Sequence, residues 1–135
     1  MHKATKENLM TAMHGEAFAY AKYTLFAKRA SESGNEELAK LFQDIANMEF
    51  FEHFSEEAEL ADLVGSNEEN LQNAISGERY EVKKMYKDFA DAAAKAGDSE
   101  VAARFSEIRN DEKKHEAAYK AMLDKIRKPV SSTTM

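Results

Sequence analysis

Residues 35–49, NEELAKLFQDIANME, return sixty-three positions later as residues 98–112, DSEVAARFSEIRNDE. Glu37, Ala39, Phe42, Ile45, Asn47 and Glu49 recur as Glu100, Ala102, Phe105, Ile108, Asn110 and Glu112, and upstream Gly15-Glu16 is echoed by Gly77-Glu78 at an offset of sixty-two. Self-similarity at such a period marks a duplicated supersecondary unit. Whatever the chain folds into must therefore be made of two copies of one helical hairpin. The copies also share glutamates that fall on otherwise apolar stripes, which hydrophobic packing alone does not explain.

The breaks between helices are set by glycine. Gly34 precedes Asn35, Gly65 precedes Ser66-Asn67 and Gly97 precedes Asp98, each reading as a cap glycine followed by a helix-starting residue. Ser66 has Glu69 three positions on, the pattern of a capping box. The reading is four helices at 3–33, 35–64, 67–96 and 98–127, each ~45 Å long at 1.5 Å per residue, with Pro129 ending the last before a polar tail over 129–135. One proline, five glycines and no cysteine in 135 residues suit an all-α domain spanning 1–128. The fold class expected is an all-α four-helix bundle built from the two duplicated hairpins.

Helical spacing assigns the core. The first helix offers Leu9, Met13, Tyr20, Tyr23 and Ala27; the second Leu38, Leu41, Phe42, Ile45 and Met48. The third offers Leu71, Ile75, Met85 and Phe89, and the fourth Val101, Phe105, Ile108, Met122 and Ile126. Extended along their helices, the same stripes reach Glu16, Glu49, Glu52, Glu78, Glu81, Glu112 and His115. A buried ionised carboxylate is costly unless paired or bound to a cation, and the lysines and arginines lie off these stripes. Residues three apart share a helix face, so Glu49/Glu52, Glu78/Glu81 and Glu112/His115 converge in pairs, with Glu16 on the remaining helix. A pair of metal ions is the expected compensation. Carboxylate and imidazole donors suit iron, with manganese as the other candidate. Gly15 and Gly77, each one residue before a proposed ligand, are expected to mark close packing beside the centre.

Composition removes other classes. A formal charge of -6 does not suit a nucleic-acid partner. The absence of cysteine removes disulfides, thiolate nucleophiles and tetracysteine metal sites. No apolar run is long enough to span a membrane and MHKATKENL is no secretory signal, so a cytoplasmic protein is expected.

The segments GEAFAYAKYTLFAKRA, LAKLFQDIANMEFFEH, GERYEVKKMY and DEKKHEAAY together resemble the diiron domain of rubrerythrin, over about residues 5–125. The resemblance implies a ferritin-like four-helix bundle carrying two iron ions, a non-haem diiron oxidoreductase that reduces hydrogen peroxide to water with electrons from an external donor. The alternative is a ferroxidase that handles iron, oxidising Fe(II) with oxygen or peroxide. It implies Glu16 as the first-helix ligand, Glu49 and Glu112 as bridging glutamates, Glu78 and Glu81 as the third-helix pair and His115 as the fourth-helix histidine. Tyr23 and Tyr86 match tyrosines that hydrogen-bond ligand carboxylates.

Two departures stand out. The rubredoxin-like tetracysteine domain is missing from these 135 residues, so a separate rubredoxin-like donor is expected. The family's second-helix histidine follows its glutamate by three positions, where this sequence has Glu52, with His53 one later. Relative to Glu49, one lies about 60° to one side and the other about 40° to the other, so either reaches. The internal repeat pairs Glu52 with His115 and favours Glu52 as the ligand. Finally, Gly65-Ser66-Asn67 cannot cross a bundle ~40 Å long at about 3.5 Å per residue. The helices therefore run up-down-up-down or the hairpins are exchanged between copies, and a domain-swapped homodimer is expected.

Overall fold

A computed structural model describes residues 1–128, so the 129–135 tail and Pro129 lie outside the described residues. The chain divides between Val64 and Gly65 into two compact units, each a helical hairpin. The first joins α1 (Lys3–Glu32) to α2 (36–60); the second joins α3 (67–96) to α4 (Ser99–Arg127). No strand occurs among the described residues, and none of their helices is long and apolar enough to cross a membrane.

Three of the helix ends close in the same way. Gly34 (φ 82°) and Gly97 (φ 90°) adopt the left-handed conformation after α1 and α3. The amides beyond them turn back onto the helix, Asn35 N–H to Ala30 O at 2.9 Å and Asp98 N–H to Ala93 O at 2.9 Å. The third such end departs from the glycine pattern. Here α2 stops at Leu60, Asp62 (φ 52°) takes the left-handed position, and Leu63 N–H returns to Ala58 O at 3.0 Å. Aspartate tolerates that region better than most side chains, so α2 ends four residues earlier than Gly65 suggested. Ser66 and Glu69 form the expected capping box, Glu69 N–H to Ser66 Oγ at 3.1 Å and Ser66 N–H to Glu69 Oε1 at 3.0 Å.

Each hairpin is held by a narrow seam. In the first, Ala27 and Ala30 of α1 and Ala39 and Ala46 of α2 are buried, with Met13 and Ala58 toward the open end; in the second the buried residues are Ile75, Val82 and Leu123. Small residues let the helix axes approach, and aromatic pairs brace them. Tyr23 lies 6.1 Å from Phe42 in the first hairpin, and its repeat partners Tyr86 and Phe105 lie 5.9 Å apart in the second.

Much of the expected core lies outside the seams. Leu38, Leu41, Ile45, Met48, Phe89, Val101, Met122 and Ile126 are all exposed on their own hairpins. Two antiparallel helices meet along one line, which buries a stripe about one side chain wide, while the apolar stripes of this chain are wider.

Neither α2 nor α3 is α-helical throughout. Glu49–Phe54 in α2 and Glu81–Met85 in α3 follow π-helical hydrogen bonding, with Ser55 N–H reaching Phe50 O and Tyr86 N–H reaching Glu81 O, five residues back. Such a turn inserts one residue into a helix and shifts every later side chain by one position. Both turns begin at a residue singled out as a ligand.

Candidate metal centre

In the first hairpin α1 presents Glu16 and α2 presents Glu49 and His53, with one ligand atom from each lying within 4.8 Å of the others. His53 Nδ1 is 3.3 Å from Glu49 Oε1 and 3.6 Å from Glu16 Oε2. In the second hairpin α3 presents Glu78 and α4 presents Glu112 and His115 in the same relation. His115 Nδ1 stands 3.6 Å from Glu112 Oε2 and 3.7 Å from Glu78 Oε2. The duplication read from the sequence is thus a duplication of a Glu–Glu–His group.

The carboxylates are crowded and protonation relieves them. The Glu49 carboxyl is raised above the ordinary range because it shares a proton with Glu16, then by burial and by the Glu16 charge, with His53 opposing. Glu78 is raised chiefly by burial, then by Glu112. Glu81 joins this second group and is pushed up to about 7 by burial, by a proton shared with Glu112, and by the charges of Glu112 and Glu78. Glu112 receives those hydrogen bonds, from Glu78 first and then Glu81, and is correspondingly lowered.

A metal ion fits both groups. Glu16 Oε2 and Glu78 Oε2 are buried and have no hydrogen-bond partner. Among the described residues no lysine or arginine pairs with Glu16, Glu49, Glu78 or Glu112; their only basic neighbours are the two histidines. Carboxylates that gather protons instead of cationic side chains are set up to exchange those protons for a metal. The oxygen-rich donor set with one imidazole per hairpin suits iron or manganese.

Of the residues expected at the site, Glu16 and Glu49 come together in one hairpin, and Glu78, Glu81, Glu112 and His115 in the other. Glu52 does not join them: the residue of α2 that stands with Glu16 and Glu49 is His53. The π-turn is the physical reason. Opening at Glu49, it inserts one residue, so the fourth position after Glu49 takes the place that the third takes after Glu112 in the unbroken α4. Pairing Glu52 with His115 carried the sixty-three-residue offset across an insertion; beyond the turn the offset is sixty-two, and His53 aligns with His115. The signal was present upstream, where the offset moves from sixty-two at Gly15/Gly77 to sixty-three at Tyr23/Tyr86 across the π-turn of α3.

Tyr86 stands beside the second group: its hydroxyl is raised by burial first and then by the charges of Glu81, Glu112 and Glu78. Tyr23 packs its ring on Phe42. Among the described residues neither tyrosine donates its hydroxyl to a ligand carboxylate. A Cβ added at Gly15 or Gly77 would meet nothing within 4 Å, so crowding within this chain does not account for either glycine.

The rubrerythrin family model matches residues 7–123. The chain is 36% identical to rubrerythrin of Porphyromonas gingivalis, over 88% of this chain and 66% of that protein. It is 33% identical to a putative rubrerythrin of Methanocaldococcus jannaschii (92% and 71%) and 34% identical to nigerythrin of Nitratidesulfovibrio vulgaris (93% and 69%). A solved structure of fully reduced, all-ferrous nigerythrin aligns over 96% of this chain and 70% of its own at 33% identity, with a TM-score of 0.48. The chain spans about two thirds of the length of the curated relatives it matches.

Proposed function

The chain belongs to the rubrerythrin family, all-α and ferritin-like in fold class, and we propose that it is a cytoplasmic non-haem diiron oxidoreductase that reduces hydrogen peroxide to water. The observation that carries this reading is the repeated Glu–Glu–His group, each copy with a buried carboxylate oxygen that has no protein partner. Iron held there would supply two electrons to a peroxide, which with two protons gives two waters, and an external rubredoxin-like donor would replace them.

The chain's own residues divide that work. Glu16, Glu49 and His53 bind from a first hairpin, and Glu78, Glu112 and His115 from a second. Glu81 holds a proton near neutral pH, shared with Glu112, so its carboxylate becomes free to bind as that proton leaves. Aromatic pairs adjoin the groups: Phe50, next in sequence to Glu49, packs on Tyr20 (centroids 5.0 Å apart), and Tyr86, beside Glu81, packs on Phe105. His53 rather than Glu52 completes the first group, which gives the two halves the same donor set. A dinuclear centre using both halves needs one hairpin of each kind. The exposed apolar faces of the hairpins and the six-residue link at 61–66, which extended spans about 20 Å at about 3.5 Å per residue, support exchange between two copies, a domain-swapped homodimer.

The test is anaerobic loading with ferrous iron followed by metal analysis and stopped-flow oxidation. Binding of iron, oxidation faster by peroxide than by oxygen, and turnover on added reduced rubredoxin support the reading. Failure to bind iron overturns the centre, and oxidation preferentially by oxygen without reductant turnover makes the protein a ferroxidase.

A further inference from the structure

The π-turn of α3 leaves one backbone group in need of a partner. In an α-helix the Tyr86 amide would bond the Val82 carbonyl four residues back; here it bonds Glu81 O instead. The Val82 carbonyl, on a buried residue, accepts a hydrogen bond from Arg109 Nε of α4 at 2.5 Å. This is a long side chain reaching across the seam to backbone twenty-seven residues away. It is also the hairpin's one such bond among the described residues.

The other hairpin supplies the comparison. Arg109 corresponds by the repeat to Ala46, which is fully buried and carries no donor. The helix facing Ala46 is α1, α-helical from Lys3 to Glu32 and one residue shorter than α3 between the repeated Glu16/Glu78 and Tyr23/Tyr86 positions. Where the arginine is present the facing helix carries the extra residue, and where alanine replaces it the facing helix is regular. That extra residue has a consequence at the centre. The second hairpin has Glu81 beside Glu112, at the start of the turn, and the corresponding position of α1 is Ala19.

We infer that Arg109 is a positioning residue for the metal centre: its guanidinium holds the π-turn at 81–85 in place through the Val82 carbonyl, and the turn sets where Glu81 stands relative to Glu112 and Glu78. An inserted residue can be accommodated at neighbouring places along a helix, each aiming the following side chains differently. A charge-assisted bond to the freed carbonyl selects one of them, and Arg109 sits one turn before Glu112 on the same helix, so the donor and the ligand that Glu81 must meet move together.

The inference rests on the metal-centre reading, and its test separates the two. Wild type, Arg109→Ala, Arg109→Lys, Glu81→Gln and the Arg109→Ala/Glu81→Gln double variant are titrated with cobalt(II), followed by its visible absorption, and amide hydrogen exchange of the segment 81–87 is measured without metal. Arg109→Ala should weaken cobalt binding about tenfold and alter the absorption, the range expected for a residue supporting a ligand. The same change should have less than about a twofold effect when Glu81 is already Gln, because the two act through one path. Arg109→Lys, which keeps a charged donor, should recover part of the loss. Exchange at the Tyr86 amide should rise about tenfold in Arg109→Ala, consistent with release of the turn. Equal weakening in both Glu81 backgrounds, or unchanged binding and exchange in Arg109→Ala, overturns the inference. A wild type that binds no cobalt overturns the metal-centre reading instead, and the exchange arm still decides the role of Arg109. If Arg109→Ala loses its helicity, Arg109→Gln carries the same comparisons.

Discussion

Raising the pH should destabilise the metal-free protein, and Glu81 is the residue through which much of that loss runs. Its carboxyl is pushed up to about 7 by burial, by the proton shared with Glu112 and by neighbouring negative charge, against an ordinary value of 4.5. A group that binds its proton more tightly in the folded state stabilises that state in full below its unfolded value, and the contribution disappears as pH rises through the folded one. The window is therefore 4.5 to about 7. At ~1.36 kcal/mol per unit, a difference of 2.5 units has an upper bound of ~3.4 kcal/mol. Glu81 is only partly buried, and screening by the solvent that does reach it reduces this to ~1–2 kcal/mol. Glu81→Gln removes the titration while keeping the shape. Denaturation of metal-free wild type and variant at about pH 5 and pH 8 should show wild type losing ~1–2 kcal/mol more than Glu81→Gln, or ~3 °C in Tm per kcal/mol. The raised carboxyls of Glu49 and Glu78 are common to both proteins and cancel. With metal bound the wild-type slope should reverse, since the cation takes the deprotonated form. Parallel pH profiles for the two metal-free proteins would refute the assignment.

Other perturbations follow from the same geometry. His53→Ala should weaken cobalt or iron binding by more than about tenfold, while exposed Glu52→Gln changes it less than about threefold, read by titration calorimetry. If Glu52→Gln is the damaging change, the register assigned to the π-turn of α2 is wrong. Ser66→Ala removes the acceptor for Glu69 N–H and should cost about 1 kcal/mol in urea denaturation. Ala46, 0% exposed between α1 and α2, should not tolerate a larger side chain: Ala46→Leu is expected to cost ~1–3 kcal/mol, seen as a lower Tm with helical content unchanged.

Helix type and number were legible because the signals are local and chemical. Gly34 and Gly97 sit where left-handed φ is needed, and Ser66 with Glu69 satisfies two amides at the start of α3. The end of α2 was not legible, since aspartate enters the left-handed region less often than glycine and Asp62 carries no mark of doing so. The core was legible as stripes but not as burial. Periodicity reports which side of a helix is apolar, whereas the width of the seam is set by which residues let the helices approach. Ala27, Ala30, Ala39 and Ala46 therefore occupy the seam while Leu41, Ile45 and Met48 remain outside it.

The carboxylates were readable and the register that aims them was not. One added residue in a helix displaces the apolar pattern by a single position, which within one helix looks like ordinary irregularity. Only the duplication exposes it, through an offset that runs sixty-two at Gly15/Gly77, sixty-three from Tyr23/Tyr86 to Glu49/Glu112, and sixty-two again at His53/His115. The two steps coincide with the two π-turns, one in the second helix of its hairpin and one in the first helix of the other. Two departures from symmetry therefore share one cause. The histidine that follows Glu49 by four positions instead of three, and the additional carboxylate Glu81 with its own stabilising arginine, are each what a single inserted residue does at the place where a helix meets the site.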